Sequence, residues 1–384
     1  MGEGRHDRPK AAPTDSTQHL IVLGAGLMGR LLALKLAHQG HRVQLHEAGG
    51  ADGSGAAARV AAAMLAPLAE SAVTELNVVR MGEYSLRRWP QLLAELSLPV
   101  FFQQQGTLVV WHRQDQSEAY RFQRLVQRTT DAMPELPSLQ VLDATALAAC
   151  EPDLAGRFEQ GFFLPGEAQL DNRALLAALL EALRDAGVQM HLYSKRQPEE
   201  FALGRRGAPD GLLDCRGLGA KPQWGQLRGV RGEVARVHAP EVRLHRPLRL
   251  MHPRYPIYIA PKPEDVFVIG ATEIESEDRS AASMRSTLEL LSAAYSVHSG
   301  FAEARVLEIA TQLRPTLPDN LPALRWLGPR SLQVNGLYRH GFLIAPAMLD
   351  AVLEVWTKGH SQLAERFGLA IGEAKEAASV PVQG

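Results

Sequence analysis

Cysteine is scarce in this sequence of 384 residues, which has only Cys150 and Cys215, far apart and in no metal-binding spacing. Their number excludes a disulfide framework and is typical of a reducing compartment, so we expect a cytoplasmic protein without a metal site. Long apolar runs are also missing, and none approaches the length that spans a bilayer. The formal net charge is only −1 with no long basic run, which gives no support for nucleic acid or an anionic membrane as a partner.

The first 18 residues are polar, with two prolines and no apolar segment, so they have the character of neither a signal peptide nor a strand. We expect residues 1–18 to form a disordered tail and residues 379–384 to form a loose end. Hydrophobic residues make up 46% of the chain, which is ordinary for a globular protein. The length suits one large domain or two intertwined domains.

The most informative stretch begins with the apolar run Leu20 to Leu23, which has the length of a buried parallel strand. Gly24, Gly26 and Gly29 follow in G-x-G-x-x-G spacing, and a helical pattern, a second strand and the acid Glu47 come after them. The first glycine of such a motif permits a tight turn, the second lets backbone approach a pyrophosphate, and the third lets the helix pack on its strand. Helix N–H groups bind the phosphates, and the carboxylate binds a ribose. The stretch predicts a dinucleotide site formed by Gly24, Gly26, Leu27, Met28, Gly29, Glu47 and Ala48.

The glycine motif does not distinguish FAD from NAD, because both cofactors share the ADP half. A run of small residues from Ala56 to Ala63 follows, and it would let the backbone lie flat against a ligand. An ordinary alanine-rich helix explains the same composition equally well. The turn from Cys215 to Ala220 follows a predicted strand, at the end where ligands of doubly wound sheets bind.

Two parts of the chain are rich in strand-forming residues. Residues 100–102 and 107–111 flank Gly106 and predict a pair of strands around it. Residues 230–270 have no helical periodicity and predict an antiparallel sheet.

Seven stretches of the chain carry a recognisable series of motifs. In order, they are Gly24 to Glu47, Ala61 to Pro67 with Glu70, Arg231 to Glu233, Tyr258 to Pro261, Ile269 to Thr272, Leu313 to Pro315 with Asp319 and Pro322, and Tyr338 to Pro346. The series resembles the FAD-dependent amine oxidases of the D-amino acid oxidase family, and most closely the glycine oxidases of bacterial thiamine biosynthesis. The resemblance covers the chain from His19 to about Trp356.

This resemblance implies which residues contact the flavin. The segment that would lie along the ring is Ala62, Ala63 and Met64, and the stretch that would wrap its edge includes His340, Gly341, Phe342 and Leu343. N–H groups at a helix start there would stabilise the negative charge of a reduced flavin. The sequence departs from the family pattern at Arg59, at Ala63, where glycine is frequent, and at His340, where asparagine is common.

The resemblance also bears on how the cofactor is held. Relatives that attach flavin covalently use a cysteine in the C-terminal flavin-binding part, and neither Cys150 nor Cys215 lies there. We therefore expect FAD to be bound non-covalently.

Three residues are the candidate catalytic residues. Arg314 resembles the family arginine that grips the substrate carboxylate, and a guanidinium suits this because its planar fork donates two parallel hydrogen bonds. A surface ion pair is the alternative role for Arg314. Tyr258 and Arg339 resemble residues of the family's substrate pocket. A tyrosine in the core and an arginine with a purely structural role would give the same sequence pattern. Glu273 reads as an exposed glutamate near the pocket.

The predicted fold class is α/β, with a Rossmann-like FAD-binding domain interleaved with an α+β substrate domain that contains an antiparallel sheet. We expect the FAD-binding domain to comprise residues 19–97, 156–228 and 304–384, the last with C-terminal helices. The substrate domain would comprise residues 98–155 and 229–303.

The resemblance implies oxidative deamination of a small amino acid, most closely glycine, by hydride transfer to flavin N5. The products would be an imine, then glyoxylate and ammonia, and H2O2 from O2. The resemblance also implies that the imine serves thiazole formation in thiamine biosynthesis. Sarcosine and D-amino acids remain alternative substrates, and a non-catalytic flavoprotein or an NAD-dependent dehydrogenase remains an alternative class. We expect a homo-oligomer, although the sequence does not fix the number of subunits.

Overall fold

The computed structural model describes residues 17–254 and 256–374. Residues 1–16 of the predicted tail and the predicted loose end at 379–384 lie outside this range. The last residue of the predicted tail does not fit that prediction. Gln18 is buried, its N–H donates to His41 Nδ1 at 3.2 Å, and its carbonyl accepts from the Arg42 N–H at 2.8 Å. These bonds extend the first strand pair by one residue, so ordered chain begins before His19.

Within the described residues, the first nine strands in chain order are β1 (His19–Leu23), β2 (Arg42–His46), β3 (Met64–Leu65), β4 (Phe102–Gln103), β5 (Thr107–Trp111), β6 (Gln140–Asp143), β7 (Gln160–Leu164), β8 (Ala168–Leu170) and β9 (Gln189–His191). The next nine are β10 (Gly211–Asp214), β11 (Arg228–His238), β12 (Leu248–Met251), β13 (Ile257–Lys262), β14 (Val266–Gly270), β15 (Arg305–Thr316), β16 (Ala323–Gly328), β17 (Ser331–Asn335) and β18 (Ala370–Glu373).

The α-helices of the same residues are α1 (Leu27–His38), α2 (Ala57–Val60), α3 (Pro67–Glu70), α4 (Leu76–Leu93), α5 (Gln116–Ala132), α6 (Ala144–Cys150), α7 (Asn172–Asp185), α8 (Met284–Val297), α9 (Gly341–Lys358) and α10 (Gln362–Phe367). Short 3-10 turns at Gly217–Ala220 and Tyr338–His340 border the site described below. No helix of the described residues is both long and apolar enough to cross a membrane.

A seven-stranded sheet carries the glycine motif. Its order is β18-β16-β17-β10-β1-β2-β9, and the pairs from β17 to β9 are parallel. Central β1 is covered on one face by α1, α7 and α9, which share a large apolar core. On the other face Ile21 and Leu23 pack against Phe201 and Leu203. Burial on both faces explains why the sequence of β1 is an unbroken apolar run from Leu20 to Leu23.

An eight-stranded sheet lies alongside it, in the order β15-β11-β14-β13-β12-β5-β7-β6. All its neighbouring strands are antiparallel except β12 and β5. Helix α8 covers one face, and α5 packs on the other near β5 and β7. The antiparallel strands predicted between residues 230 and 270 are therefore present as β11 to β14.

The predicted strand pair around Gly106 is wrong. Strand β4 pairs with β8 in a separate three-stranded sheet, whereas β5 pairs with β7 and β12. The cause lies at Gly106, which has φ +78° and donates its N–H to the Glu167 carbonyl at 2.9 Å. A Cβ there would lie 2.3 Å from the Phe163 ring, so the position requires glycine. At this glycine the chain passes from one sheet to the other and does not form a hairpin.

Candidate active site

One cavity of about 1420 Å³ connects the glycine turn to the ends of β11 and β15. Small-ligand pockets usually measure ~300–1,000 Å³, so this one has room for a dinucleotide and a substrate together. Apart from Gly29, every predicted site residue lines it. These residues are Gly24, Gly26, Leu27, Met28, Glu47, Ala48, Ala62, Ala63, Met64, Tyr258, Arg314, Arg339, His340, Gly341, Phe342 and Leu343.

The three glycines of the turn have distinct surroundings. Gly24 has φ +89°, and a Cβ there would meet the Cys215 carbonyl at 2.7 Å. A Cβ at Gly29 would lie 1.8 Å from the Gly24 carbonyl, so only glycine lets α1 pack this close to β1. At Gly26 the nearest atom to a Cβ is 3.9 Å away, which leaves open space above the helix start. This open backbone next to unpaired helix N–H groups fits a pyrophosphate.

Glu47 directly follows β2 and holds the turn in place. Its Oε2 accepts from the Ala25 N–H at 2.6 Å and its Oε1 accepts from the Gly49 N–H at 2.8 Å. Because each carboxylate oxygen has a further lone pair, these bonds leave acceptor capacity for a ribose hydroxyl.

Arg30 was not predicted from the sequence; it lies in the first turn of α1 and is 1% exposed. Its guanidinium donates to the carbonyls of Ala25 at 2.7 Å, Leu176 at 2.6 Å and Ala51 at 2.9 Å. It thereby ties the glycine turn to α7 and to the loop after Glu47. The sequence gives one indication of this role, which is an arginine among the apolar residues of the first turns of the helix.

The segment from Ala62 to Met64 crosses the middle of the cavity wall. Ala63 has φ +53°, in the left-handed region that favours glycine. This explains in backbone terms why a glycine is frequent at the position. The alanine methyl is accepted at a conformational cost of about 1–2 kcal/mol.

We expect Ala63→Gly to raise the free energy of unfolding by about 0.5 kcal/mol, because relief of the left-handed strain exceeds the entropy that glycine adds to the unfolded chain. Urea denaturation of the FAD-free protein measures the change. Ala62→Gly is the matched control, since Ala62 does not have a positive φ, and it should lower stability by about 0.5–1 kcal/mol. Equal effects of the two substitutions would contradict the assignment of strain to Ala63.

Helix α9 begins at the opposite side of the cavity, with Gly341, Phe342 and Leu343 in its first turn. No side chain caps this helix start, so its first N–H groups and the positive end of the helix dipole face the cavity. Such an arrangement suits a group that gains negative charge. The Trp89 Nε1–H donates to the Phe342 carbonyl at 2.9 Å and fixes the helix start against α4.

Arg314 lies on β15 with its guanidinium in the cavity. Its Nη2 donates to the Thr272 carbonyl at 3.0 Å and its Nη1 is 3.4 Å from the Arg231 carbonyl. Among the described residues, no carboxylate lies within 4.0 Å of it. A Cβ at Gly232 would come within 2.4 Å of Nη2, so the glycine makes space for the fork. The predicted alternative, a surface ion pair, is therefore absent from the described part of the chain.

Tyr258 lies on β13, opposite Gly270 of β14 and Arg249 of β12. Its hydroxyl rests on Gly270, where a Cβ would lie 2.6 Å away. Burial raises the pKa of the phenol, although the nearby Arg314 lowers it in part. The hydroxyl is thus protonated at neutral pH and is able to donate a hydrogen bond into the cavity.

Arg339 has a different environment from Arg314, because two carboxylates neutralise it. Its Nη2 and Nε donate to Glu70 Oε2 at 2.5 and 3.0 Å, and its Nη1 donates to Glu273 at 3.0 Å. Glu273 is exposed, as predicted, yet it lines the cavity. Arg339 therefore positions this wall, and its charge is already paired.

Glu70 is the centre of this charged cluster, and the sequence analysis noted it only as a motif member. It also contacts Arg249 at 3.2 Å and His340 Nδ1 at 3.5 Å. Burial by itself would raise the pKa of the Glu70 carboxyl, but the guanidinium groups of Arg339 and Arg249 lower it to about 2. Burial lowers the pKa of His340 to about 4, so its imidazole is neutral at pH 7.

Arg249 was not predicted either. It is an isolated arginine between apolar residues of a strand, and nothing in the local sequence indicates that it contacts a carboxylate 179 residues away. Only the pairing of β12 with β5 and β13 brings it to Glu70. Long-range ion pairs of this kind have no signature in local sequence.

Comparison with known proteins agrees with the site. The family model for FAD-dependent oxidoreductases (DAO) matches residues 19–352. A Rhizobium etli protein named as a thiamine biosynthesis oxidoreductase, ThiO, is 43% identical over 334 residues, which make up 87% of this chain and 94% of that protein. A bifunctional ThiO/ThiG protein of Nostoc sp. is 25% identical over 95% of this chain, but the match spans only 57% of its own length.

Solved structures share the fold. Glycine oxidase from Geobacillus kaustophilus has a TM-score of 0.75 and 23% identity over 94% of this chain and all of that one. Iminodiacetate oxidase from Chelativorans sp. BNC1 has a TM-score of 0.75 and 20% identity over 93% of this chain and all of that one. They confirm the predicted α/β fold class. The family match decides between FAD and NAD, which the glycine motif left open: the chain belongs to the DAO family of FAD-dependent oxidoreductases.

Proposed function

We propose that this enzyme oxidises a small amino acid, glycine in the first place, with O2 as the final electron acceptor. The observation that carries the proposal is the guanidinium of Arg314, which faces the cavity without a carboxylate partner among the described residues. Arg314 is half-buried, and a half-buried cation that faces a cavity suits a substrate carboxylate, which the fork would bind through two parallel hydrogen bonds.

The proposed roles follow from the positions of the side chains. Arg314 binds the carboxylate and so fixes the α-carbon, and the Tyr258 hydroxyl, between Arg314 and Arg249, limits the orientations of the substrate. FAD held along the cavity would supply an acceptor at N5 for the hydride of the α-carbon; the iminium product would lose a proton to solvent to give the imine, which water would convert to glyoxylate and ammonia. The neutral amine is the reacting form, so no side chain is required as a nucleophile. Positioning of the reacting atoms is worth up to ~7–11 kcal/mol of barrier.

Two comparisons support this substrate and its use. The R. etli relative is named for thiamine biosynthesis, and the G. kaustophilus structure is a glycine oxidase. We propose by analogy that the imine from glycine serves thiazole formation in thiamine biosynthesis. The Nostoc relative is named as a bifunctional ThiO/ThiG protein, which supports a role of this enzyme beside a second activity in the same chain of that relative.

We propose that FAD is held without a covalent bond. Cys215 lines the cavity beside Gly24, and burial raises the pKa of its thiol, which keeps the thiol protonated at neutral pH. Cys150 ends α6 and does not line the cavity. The protonated state of one thiol and the position of the other outside the cavity support a flavin held by non-covalent contacts.

The function is tested with purified protein under anaerobic conditions. We expect a yellow protein whose 450 nm band is bleached by glycine, with peroxide formed when air is admitted. Sarcosine and D-alanine are the comparison substrates, and faster bleaching by either would replace glycine as the assigned substrate. A yellow protein that no amine bleaches would instead support the non-catalytic alternative.

A further inference from the structure

Lys262 is a buried cation that the proposed mechanism does not use. It ends β13 and is 6% exposed. Its Nζ donates to three acceptors, the carbonyl of Ala62 at 2.9 Å, the carbonyl of Leu170 at 2.8 Å and Oε1 of Gln169 at 3.0 Å. Three acceptors match the three N–H donors of a protonated amine.

The bond to Leu170 takes the place of a missing strand bond. Leu170 donates its N–H to the Ala63 carbonyl at 3.2 Å, and a regular antiparallel pair would return a bond from the Ala63 N–H to the Leu170 carbonyl. Lys262 occupies that carbonyl instead, and Ala63 adopts φ +53°. Among the described residues, the Ala63 N–H has no backbone or side-chain acceptor.

The direction of this N–H follows from peptide geometry. In a trans peptide the C=O of Ala62 and the N–H of Ala63 point in opposite directions. Since the Ala62 carbonyl points to Lys262 behind the segment, the Ala63 N–H points to the cavity that Ala62, Ala63 and Met64 line. This part of the wall packs on Tyr258 and lies between the glycine turn and Arg314, where a flavin ring would have to lie.

We infer that Lys262 is a positioning residue that frees the Ala63 N–H for the flavin and polarises it. The ammonium withdraws charge from the Ala62–Ala63 peptide, and the N–H at its other end becomes a stronger donor to the ring. Reduction adds negative charge to the ring, so this donor favours the reduced state. The inference rests on the cofactor site proposed above.

The charged groups that face Lys262 are Asp171 and Arg236, which have opposite effects on it. Burial lowers the pKa of Lys262 to about 7, whereas its three acceptors stabilise the charged form. The measurement is therefore made at pH 6.5, with the same buffer for every variant.

The test is the flavin reduction potential of Lys262→Met, measured against a reference dye with chemical reductant and no amine. We expect FAD to remain bound and its reduction equilibrium constant to fall about tenfold, which is ~30 mV for a two-electron couple. The KM for glycine should stay within twofold of wild type, because Arg314 is not disturbed. Without an amine in the titration, a wrong substrate assignment would leave this result unaffected.

Two further variants separate this role from simple support of the fold. Lys262→Gln retains an amide donor without charge and should shift the reduction potential in the same direction by less. This variant provides the measurement if Lys262→Met binds FAD poorly. Glu151→Gln is the control, because Glu151 is equally buried, binds His245 and Arg246, and does not line the cavity. A change below twofold in both Lys262 variants, or an equal shift in Glu151→Gln, would overturn the inference.

Discussion

Replacing Arg314 with alanine is expected to reduce kcat/KM for glycine by about 10²- to 10⁴-fold while FAD stays bound. Each charge-assisted hydrogen bond to the carboxylate is worth ~1.5–3 kcal/mol, and two of them are lost. The loss should appear mainly in KM, because the fork binds the carboxylate in the ground state as well as in the transition state. Steady-state kinetics and the flavin absorbance of the purified variant measure both quantities.

Two other substitutions sharpen this test. Arg314→Lys keeps the charge but lacks the planar fork, so it should recover only part of the affinity. Gly232→Ala leaves Arg314 in the sequence but places a Cβ within 2.4 Å of its Nη2, so it should raise KM by displacing the guanidinium. An unchanged KM in Arg314→Ala would remove the arginine from substrate binding and with it the glycine proposal.

Replacing Glu70 with glutamine is expected to lower the free energy of unfolding by about 3 kcal/mol at pH 7. The carboxyl has a folded-state pKa of about 2 against an ordinary value of 4.5, and each unit is worth ~1.36 kcal/mol. Its side chain is only 19% exposed and contacts Arg339, Arg249 and His340, so the variant leaves two guanidinium groups without their shared anion. Urea denaturation at pH 7 measures the loss.

The pH dependence gives an independent check on Glu70. A group whose pKa is lowered on folding contributes its stability above the unfolded pKa, near 4.5, and loses it as the pH falls through about 2. Between these pH values the free energy of unfolding of the wild type should therefore fall by about 3 kcal/mol more than that of Glu70→Gln. Glu273→Gln is the control, since its side chain is 47% exposed and its pair with Arg339 is worth ~0–1 kcal/mol. Parallel pH curves for wild type and Glu70→Gln would refute the assignment.

The sequence predicts the nucleotide half of this molecule well, because local chemistry specifies it. A buried strand, three glycines with separate steric demands and a terminal acid occur within 29 residues, from His19 to Glu47. Gly24 and Gly29 have no room for a Cβ, and Gly26 leaves space where a pyrophosphate could approach, so the spacing of the three glycines carries the signal. The assignment of FAD, by contrast, depended on resemblance over the whole chain.

The charged wall of the cavity could not be predicted in the same way. Glu70 meets Arg249 and Arg339 across separations of 179 and 269 residues, and only the packing of a helix, a strand and a 3-10 turn brings them together. The predicted strand pair around Gly106 was wrong for a related reason, since strand-forming residues on both sides of a glycine do not reveal which sheet receives each strand. The roles of Arg314, Tyr258 and Arg339 stay predictions, while their shared location in one cavity is a structural observation.

The wall of this cavity is drawn from chain positions as distant as Gly24 and Leu343, and no single segment contains it. A cofactor that binds there contacts both large sheets at once, so its binding free energy is added to the stability of the assembled molecule. At a free FAD concentration 100 times the dissociation constant this linkage is worth ~2.7 kcal/mol. Riboflavin supply would then govern how much of the polypeptide survives in a cell, as well as how much of it is active.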